Sequence, residues 1–294
     1  MERNPRDSSS TAVNPTHTHF NHVKVSIMQR ASHFSRSTSE AVPWRSAIVG
    51  ILAGLMLATV LLAPAVWLAK ALSQMTAGRM QFIEPVGTVW TGSGRLLLTG
   101  GTGSHDSAVL PGRVDWKLRF DGLALVLELH AACCTPRPLQ VRAQPRWRGI
   151  SFQIFDGESE WPASVLTGLG APWNTVQANG TLRLATHDLS LLWSPQQPMV
   201  AGQAKLTAVG LTSSLTTLKP MGSYQLMLLG GDVVEVRLVT IEGSLQLSGS
   251  GRWVGPRLTF EGRASAAPGY ETALENLLNI IGRRSGKQAI FNLG

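Results

Sequence analysis

The sequence has 294 residues, 44% of them hydrophobic, and its 26 Lys and Arg exceed its 18 Asp and Glu to give a formal net charge of +8. The cations are scattered among the acids, so the charge favours a solvated basic surface and argues against nucleic-acid binding. The length fits one membrane segment and one sizeable domain. The only cysteines, Cys133 and Cys134, are adjacent and cannot bridge separate parts of the fold.

Residues 1–46 are rich in Ser, Thr and His and show almost no apolar periodicity. A segment of this composition cannot bury enough apolar surface to fold, so we predict a disordered cytoplasmic tail. Met28 is an alternative start of the chain.

The uncharged stretch from Ala47 to Ala69 predicts a transmembrane helix. It holds 11 Leu, Ile and Val residues, and its length of about 35 Å covers a hydrocarbon core of about 30 Å. Trp44 and Trp67 mark its ends, and Pro64 is tolerated as a kink if a neighbour satisfies the carbonyl that it frees. The alternatives are a cleaved signal peptide, whose apolar core is shorter, and a buried helix of a soluble domain.

The charges that flank this helix predict its orientation. Three arginines lie shortly before it, whereas Lys70 and Arg79 follow it. The positive-inside rule therefore predicts, by a narrow margin, a cytoplasmic N-terminus and a domain of residues 70–294 on the other side of the membrane.

Small residues recur every fourth position of the predicted helix, at Gly50, Gly54 and Ala58. They share one face, where small side chains let a second helix approach closely. This face is a candidate site for a partner helix or for a second copy of the chain. The alternative is that Gly and Ala are simply common in membrane helices.

After Lys70 the apolar residues alternate with polar or small ones, which predicts β-strands with one buried face. Glycine-rich breaks separate these runs, as hairpin turns require. We therefore predict an all-β domain with a curved antiparallel meandering sheet. The pairs that share a face are Leu96 and Leu98, Trp116 and Leu118, Leu125 and Leu127, Leu182 and Leu184, Leu189 and Leu191, Leu245 and Leu247, and Leu258 and Phe260.

Two helical segments interrupt this pattern. Residues 161–174 predict a short helix and a loop, which could divide the domain into two lobes, because Pro162 suits a first helical turn. Residues 271–281 predict an amphipathic helix that packs on the sheet, with Gly282 as its C-terminal cap. A terminal strand is expected at 288–293.

No group of residues predicts catalysis, a cofactor or a metal, so we expect no enzyme. Ser104, His105 and Asp106 are neighbours on a glycine-rich turn and point in different directions. Asp156, Glu158 and Glu160 fit solvated edge charges better than a cation site. The nine tryptophans are expected in the core more than at sites that stack bases or sugars.

Three segments carry a family resemblance. They are Pro85-Val-Gly-Thr-Val-Trp-Thr-Gly92, Leu169-Gly-Ala-Pro-Trp-Asn-Thr-Val-Gln-Ala-Asn-Gly180, and Phe260 through Arg283. With them, about residues 48–294 resemble the N component of the bacterial type II secretion system, although the long Ser- and His-rich start departs from the family's usual short cytoplasmic end. In the first segment we expect a strand whose Trp90 anchors the sheet near the membrane and is, like the small helix face, a candidate partner-binding residue.

The resemblance implies a non-enzymatic inner-membrane accessory component with a periplasmic domain, which supports export of folded proteins from the periplasm and contacts other components of the machine. The main alternative is a periplasmic lipid-binding or lipid-transfer protein that resembles AsmA. An open apolar groove in the sheet would favour this alternative, and a core filled with side chains would count against it.

Overall fold

The computed structural model describes residues 44–101, 103–147, 149–171, 173–194, 199–254 and 257–293. The chain divides into two compact units, Met1–Gly50 and Ile51–Gly294. Of the first unit only residues 44–50 are described, and they begin helix α1. The predicted tail up to residue 43 lies outside the described residues.

The apolar stretch forms two helices where one was predicted. Helix α1 (Trp44–Leu61) is exposed along its whole length and, within the described residues, is the one helix long and apolar enough to cross a membrane. Helix α2 (Ala65–Met75) follows it. The prediction of one continuous helix over residues 47–69 was wrong because Pro64, with no N–H and a ring that meets the preceding turn, breaks the helix fully instead of kinking it.

The β-domain prediction is confirmed. The described residues form sixteen strands: β1 (Met80–Gly87), β2 (Thr91–Thr99), β3 (Ser107–Val109), β4 (Val114–Asp121), β5 (Ala124–Ala131), β6 (Leu139–Arg146), β7 (Gly149–Ile154), β8 (Gly157–Pro162), β9 (Asn179–Trp193), β10 (Met199–Thr212), β11 (Gly222–Leu229), β12 (Glu235–Gly243), β13 (Leu245–Val254), β14 (Arg257–Ala266), β15 (Arg283–Ser285) and β16 (Gln288–Leu293).

All these strands belong to one antiparallel sheet in the order β1-β2-β4-β5-β6-β7-β9-β10-β11-β12-β13-β14-β16-β15, with β3 beside β2 and β8 beside β9. The order follows the chain closely, so the sheet is a meander. It also runs continuously through β7, β9 and β10. The division into two lobes near residues 161–174 stays a prediction.

The register places the predicted apolar rows on one face of the sheet. Leu118 lies opposite Leu127, which lies opposite Val141 on the next strand. Farther along, Leu206 lies between Leu184 and Leu226. Because side chains alternate across a strand, these rows form a single apolar face, which we call the inner face.

Antiparallel pairing gives the sheet two distinct ends. We call the end where β1 finishes at Gly87 and β2 begins at Thr91 the junction end, because the residues that follow α1 contact the β1–β2 turn there. The last residues of β4, β6, β9, β11 and β13 lie at this end as well. The opposite end, with the β5–β6 and β12–β13 connections, is the far end.

Three buried clusters pack on the inner face toward the far end. Helix α4 (Glu271–Ile281) lies where it was predicted and buries Leu274, Leu277 and Leu278 against the ends of β11, β13, β14 and β16. The other two clusters surround the 3₁₀ helix Ala163–Leu169, through Val165 in one and Ala163 in the other. Helices therefore cover the inner face at the far end.

The boundaries of these helical segments differ from the prediction. The segment at 161–174 is the end of β8, then the 3₁₀ helix, then a short helix α3 (Trp173–Val176). Gly282 does not form a left-handed cap after α4, because its backbone is extended at φ −170°. A side chain there would meet the carbonyl of Ile290, so close strand approach is the reason for glycine at this position.

Candidate functional site

The small face of α1 is open to a partner. Gly50, Gly54 and Ala58 all lie in α1 and are exposed. A Cβ atom added at Gly50 or Gly54 would meet no described atom within 4 Å. The structure thus leaves this face accessible, and its role in helix pairing stays a prediction.

The break between α1 and α2 rests on the β1–β2 connection. Pro64 forms a bridge with Thr88, and the Val89 N–H donates to the Ala63 carbonyl at 2.8 Å. Ala63 and Ala65 are buried on either side of the proline. The end of α1 is therefore held by backbone contacts to a turn about 25 residues later in the chain.

Trp90 completes this junction with its side chain. Its indole Nε1 donates to the Val60 carbonyl at 2.8 Å. Val60 lies four residues before Pro64, so its carbonyl is the one to which an N–H at position 64 would donate in a continuous helix. The Ala63 N–H also reaches this carbonyl, at 3.4 Å. Trp90 thus supplies the neighbour that a proline break in a membrane helix requires.

The local backbone explains why Trp90 points toward α1. The segment from Pro85 to Gly92 is the end of β1, a turn over residues 88–90 and the start of β2, not the single strand that was predicted. Gly87 has φ +93°, a left-handed conformation in which an L side chain is strained. The Thr88 hydroxyl then accepts from the Thr91 N–H at 3.1 Å, a side-chain turn that reverses the chain.

Aromatic side chains fix this turn on the sheet. The rings of Trp90 and Phe120 lie 5.4 Å apart, and those of Trp116 and Phe82 lie 5.0 Å apart. The Trp116 indole donates to the Thr88 carbonyl at 3.2 Å. Its ring crosses Gly92 so closely that an added Cβ would come within 2.5 Å of it, which requires glycine there. Trp116 is buried as predicted, whereas Trp90 is half-buried and Phe120 is exposed.

Val60 and Phe120 are the parts of this site that sequence reasoning missed. A signal for Val60 was available, because the residue four positions before a proline in a helix always loses its donor. No comparable signal points to Phe120, which is 30 residues from Trp90 and meets it only through the pairing of β2 with β4.

Asp156 and Glu160, two of the three acidic residues singled out in the sequence, are engaged in local pairs. Asp156 accepts from the Asp188 N–H at 2.7 Å and contacts His187 Nδ1 at 2.8 Å. These two bonds hold the pKa of the Asp156 carboxyl below its ordinary value. Glu160 pairs with Arg183 at 3.2 Å. Among the described residues no group of three or more His, Cys, Asp or Glu is arranged to hold a metal ion.

The two cysteines are bonded to each other in the β5–β6 connection. Cys134 is buried, its N–H donates to the Ala131 carbonyl, and its own carbonyl accepts from the Glu160 N–H at 2.7 Å. The disulfide joins adjacent residues and bridges no separate elements, as the spacing indicated.

Comparison with known families identifies the family to which this chain belongs. The family model of type II secretion system (T2SS) protein N matches residues 78–290. The chain belongs to this family. The match covers the sheet and α4 and includes all three segments that carried the resemblance, but it is narrower than the range of about 48–294 expected from them. Helices α1 and α2 lie outside it. The comparisons with curated proteins and with solved structures find no match.

Membership of the family makes the chain a type II secretion component. One apolar helix ahead of the family domain fits a single-pass membrane protein. The comparisons give no support to the alternative of a lipid-handling protein that resembles AsmA. Where α4 and the 3₁₀ helix cover the inner face, side chains fill it, and that part holds no open groove.

Proposed function

We propose that this protein is a non-enzymatic accessory component of the type II secretion system, anchored in the bacterial inner membrane, which supports export of folded proteins from the periplasm across the outer membrane. The family match over residues 78–290 is the observation that carries the proposal. The exposed α1, which has no charged residue from Ser46 to Leu61, supports a membrane anchor, because such a surface is stable in lipid and not in water.

In this proposal the protein acts by contact with other components. The small face of α1 would pair with a partner helix or a second copy of the chain in the bilayer. Trp90 would act at the junction, because its indole couples the last turn of α1 to the β1–β2 turn. A force or displacement on the membrane helix would thereby reach the sheet through a short, hydrogen-bonded link. No ligand or cofactor takes part.

Orientation follows from the charges around α1. We expect a cytoplasmic N-terminus and a periplasmic sheet. A periplasm-active reporter fused after Gly294 should be active, and one inserted after Ser35 should be inactive. The reverse pattern would contradict the orientation while leaving family membership intact.

Photocrosslinking in whole cells tests the contact. A photoreactive residue at Val86, which is exposed beside the β1–β2 turn, should capture another type II secretion component. The same residue at Tyr270, exposed before α4 at the far end, is the matched control. Capture of the same protein from both positions, or of no secretion component from Val86, would contradict a specific contact at the junction.

The helix face has its own test. Replacing Gly50 and Gly54 by Leu keeps α1 apolar and long but blocks close approach on that face. We expect unchanged protein level and membrane location but weaker recovery of partners and lower export of a type II substrate. The control is Val49→Leu with Thr59→Leu, which adds bulk on the opposite face. Equal export in both double variants would remove helix pairing from the proposal.

A further inference from the structure

The junction end of the sheet exposes large apolar side chains at successive strand ends. At the β4–β5 connection Phe120 is 68% exposed and Leu123 is 84% exposed. At the β6–β7 connection Trp147 is fully exposed, and Trp193, at the end of β9, is 61% exposed. Turns usually carry polar residues or glycine. Single exposed apolar residues need no explanation, but a group at one end of a sheet marks an interaction surface.

The far end provides the internal control. Its β15–β16 turn consists of Gly286 and Lys287, and Ser244 joins β12 to β13. A large apolar cluster there, with Leu274, Leu277 and Leu278, is buried under α4, although Tyr270, Ile241 and Ile280 are exposed. Helices therefore cover the main apolar cluster at the far end, whereas Phe120, Leu123, Trp147 and Trp193 are uncovered at the junction end.

The exposed apolar residues of the β4–β5 connection are linked to α1 by direct contacts. Val60, in the last turn of α1, accepts the Trp90 indole N–H, and the Trp90 ring packs on Phe120. Leu123 follows at the apex of the same hairpin, because Asp121 pairs with Ala124. If α1 ends at the membrane boundary, this chain of contacts puts the β4–β5 turn at the same depth.

Sheet geometry brings the next turn into the same region. Strands β5, β6 and β7 are consecutive neighbours of β4. Adjacent strands lie about 4.8 Å apart, so the β6–β7 turn with Trp147 is roughly 10 to 15 Å from the β4–β5 turn. Trp193 pairs with Ile150 of β7 and extends the group by one strand. Tryptophan, leucine and phenylalanine are the side chains that insert at the boundary between headgroups and acyl chains.

We propose that the junction end of the sheet rests on the surface of the lipid bilayer, with Phe120, Leu123, Trp147 and Trp193 in the headgroup layer beside the end of α1. This proposal rests on the membrane span of the proposed function but not on the role in secretion. It gives the sheet a second attachment to the membrane and orients its far end away from the bilayer, toward other partners.

A protein partner is the competing occupant of this surface. The bilayer is favoured because the span already brings lipid to Phe120, whereas nothing in the contacts of these residues selects a protein. Phe120, Leu123, Trp147 and Trp193 also lie at separate strand ends and not along one element.

The test uses the full chain in vesicles of phosphatidylethanolamine and phosphatidylglycerol. An environment-sensitive fluorophore is attached to a single cysteine at position 123 or 147, in a background with Cys133→Ala and Cys134→Ala. Leu52→Cys, near the centre of α1, reports the span, and Lys287→Cys, at the far end, is the control. Lipids that carry a quencher near the headgroup or deep in the acyl chains are then compared.

We expect the labels at positions 123 and 147 to lose emission with the shallow quencher, the label at 52 with the deep quencher, and the label at 287 with neither. Quenching at 52 but not at 123 and 147 would overturn the proposal, while the span would stand. No quenching at 52 would remove the span itself and the proposal with it, whereas membership of the secretion family would be unaffected.

Discussion

The two ends of the sheet are formed by the same strands but differ in how far helices cover their apolar side chains. At the far end, α4 and the 3₁₀ helix close the inner face and leave Leu274, Leu277 and Leu278 at most 2% exposed. At the junction end, large apolar side chains stay in the open and Trp90 ties the sheet to α1. The difference indicates that the far end stabilises the fold, whereas the junction end uses its apolar surface for contacts outside the chain.

The largest expected effect is the loss of a buried leucine at the far end. Leu278→Ala should lower the free energy of unfolding by about 2 to 5 kcal/mol, because it removes apolar contacts and leaves a cavity. Leu123→Ala at the junction end should change it by less than about 0.5 kcal/mol. Denaturant unfolding of the full chain in detergent measures both. Similar losses in the two variants would abolish the distinction between the ends.

A charge in α1 tests whether the junction end can lie at a membrane at all. Leu52→Arg, near the centre of α1, should add about 3 kcal/mol to the cost of membrane insertion. We expect the variant to be released from membranes by alkaline carbonate or degraded, and the Leu52→Ile control to stay. Retention of the arginine variant at the level of the control would show that α1 is not the anchor.

The hydrogen bond of Trp90 should have a smaller effect. Trp90→Phe keeps a ring against Phe120 but removes the donor to the Val60 carbonyl, which should cost about 1 kcal/mol of stability. Trp147→Phe, at an exposed position of the same end, is the control and should cost almost nothing. Unfolding curves of the full chain in detergent compare the two. An equal effect of the two changes would mean that the indole N–H does not hold the junction.

The smallest expected effect belongs to Asp156, which lies in the connection between β7 and β8, away from the surface of the junction end. Its pKa is lowered in the folded state, so its contribution to stability is present above the unfolded pKa and is lost as the pH falls through the folded pKa. Asp156→Asn should therefore make stability slightly less dependent on pH in the acidic range. Denaturation midpoints across that range measure the change, and a steeper dependence in the variant would contradict the assignment.

The alternation of apolar residues was sufficient to predict the antiparallel meander, because each strand has one buried face and short turns. The pattern of Leu274, Leu277 and Leu278 likewise predicted α4, since a helix of that spacing buries a single stripe. The strands and α4 depend on residues that are only a few positions apart in the sequence. The spacing of apolar residues reveals this kind of local structure.

Features that depend on distant contacts could not be predicted in the same way. The end of α1 at Leu61 is fixed by Thr88 and Val89, and the conformation of the Pro85–Gly92 segment by Trp116. Trp147 and Trp193 were expected in the core on size alone, but they lie at strand ends, where the inner face has no covering helix. The local sequence of a strand does not indicate which end of the sheet a helix will cover.

The central claim is that this chain supports type II secretion, and export of a type II substrate tests it most directly. In cells that lack the chain, we expect the folded substrate to accumulate in the periplasm, and the full chain supplied in trans should restore its release into the medium. A substrate of another export route should be unaffected in the same cells. Equal release of the type II substrate with and without the chain would contradict the account.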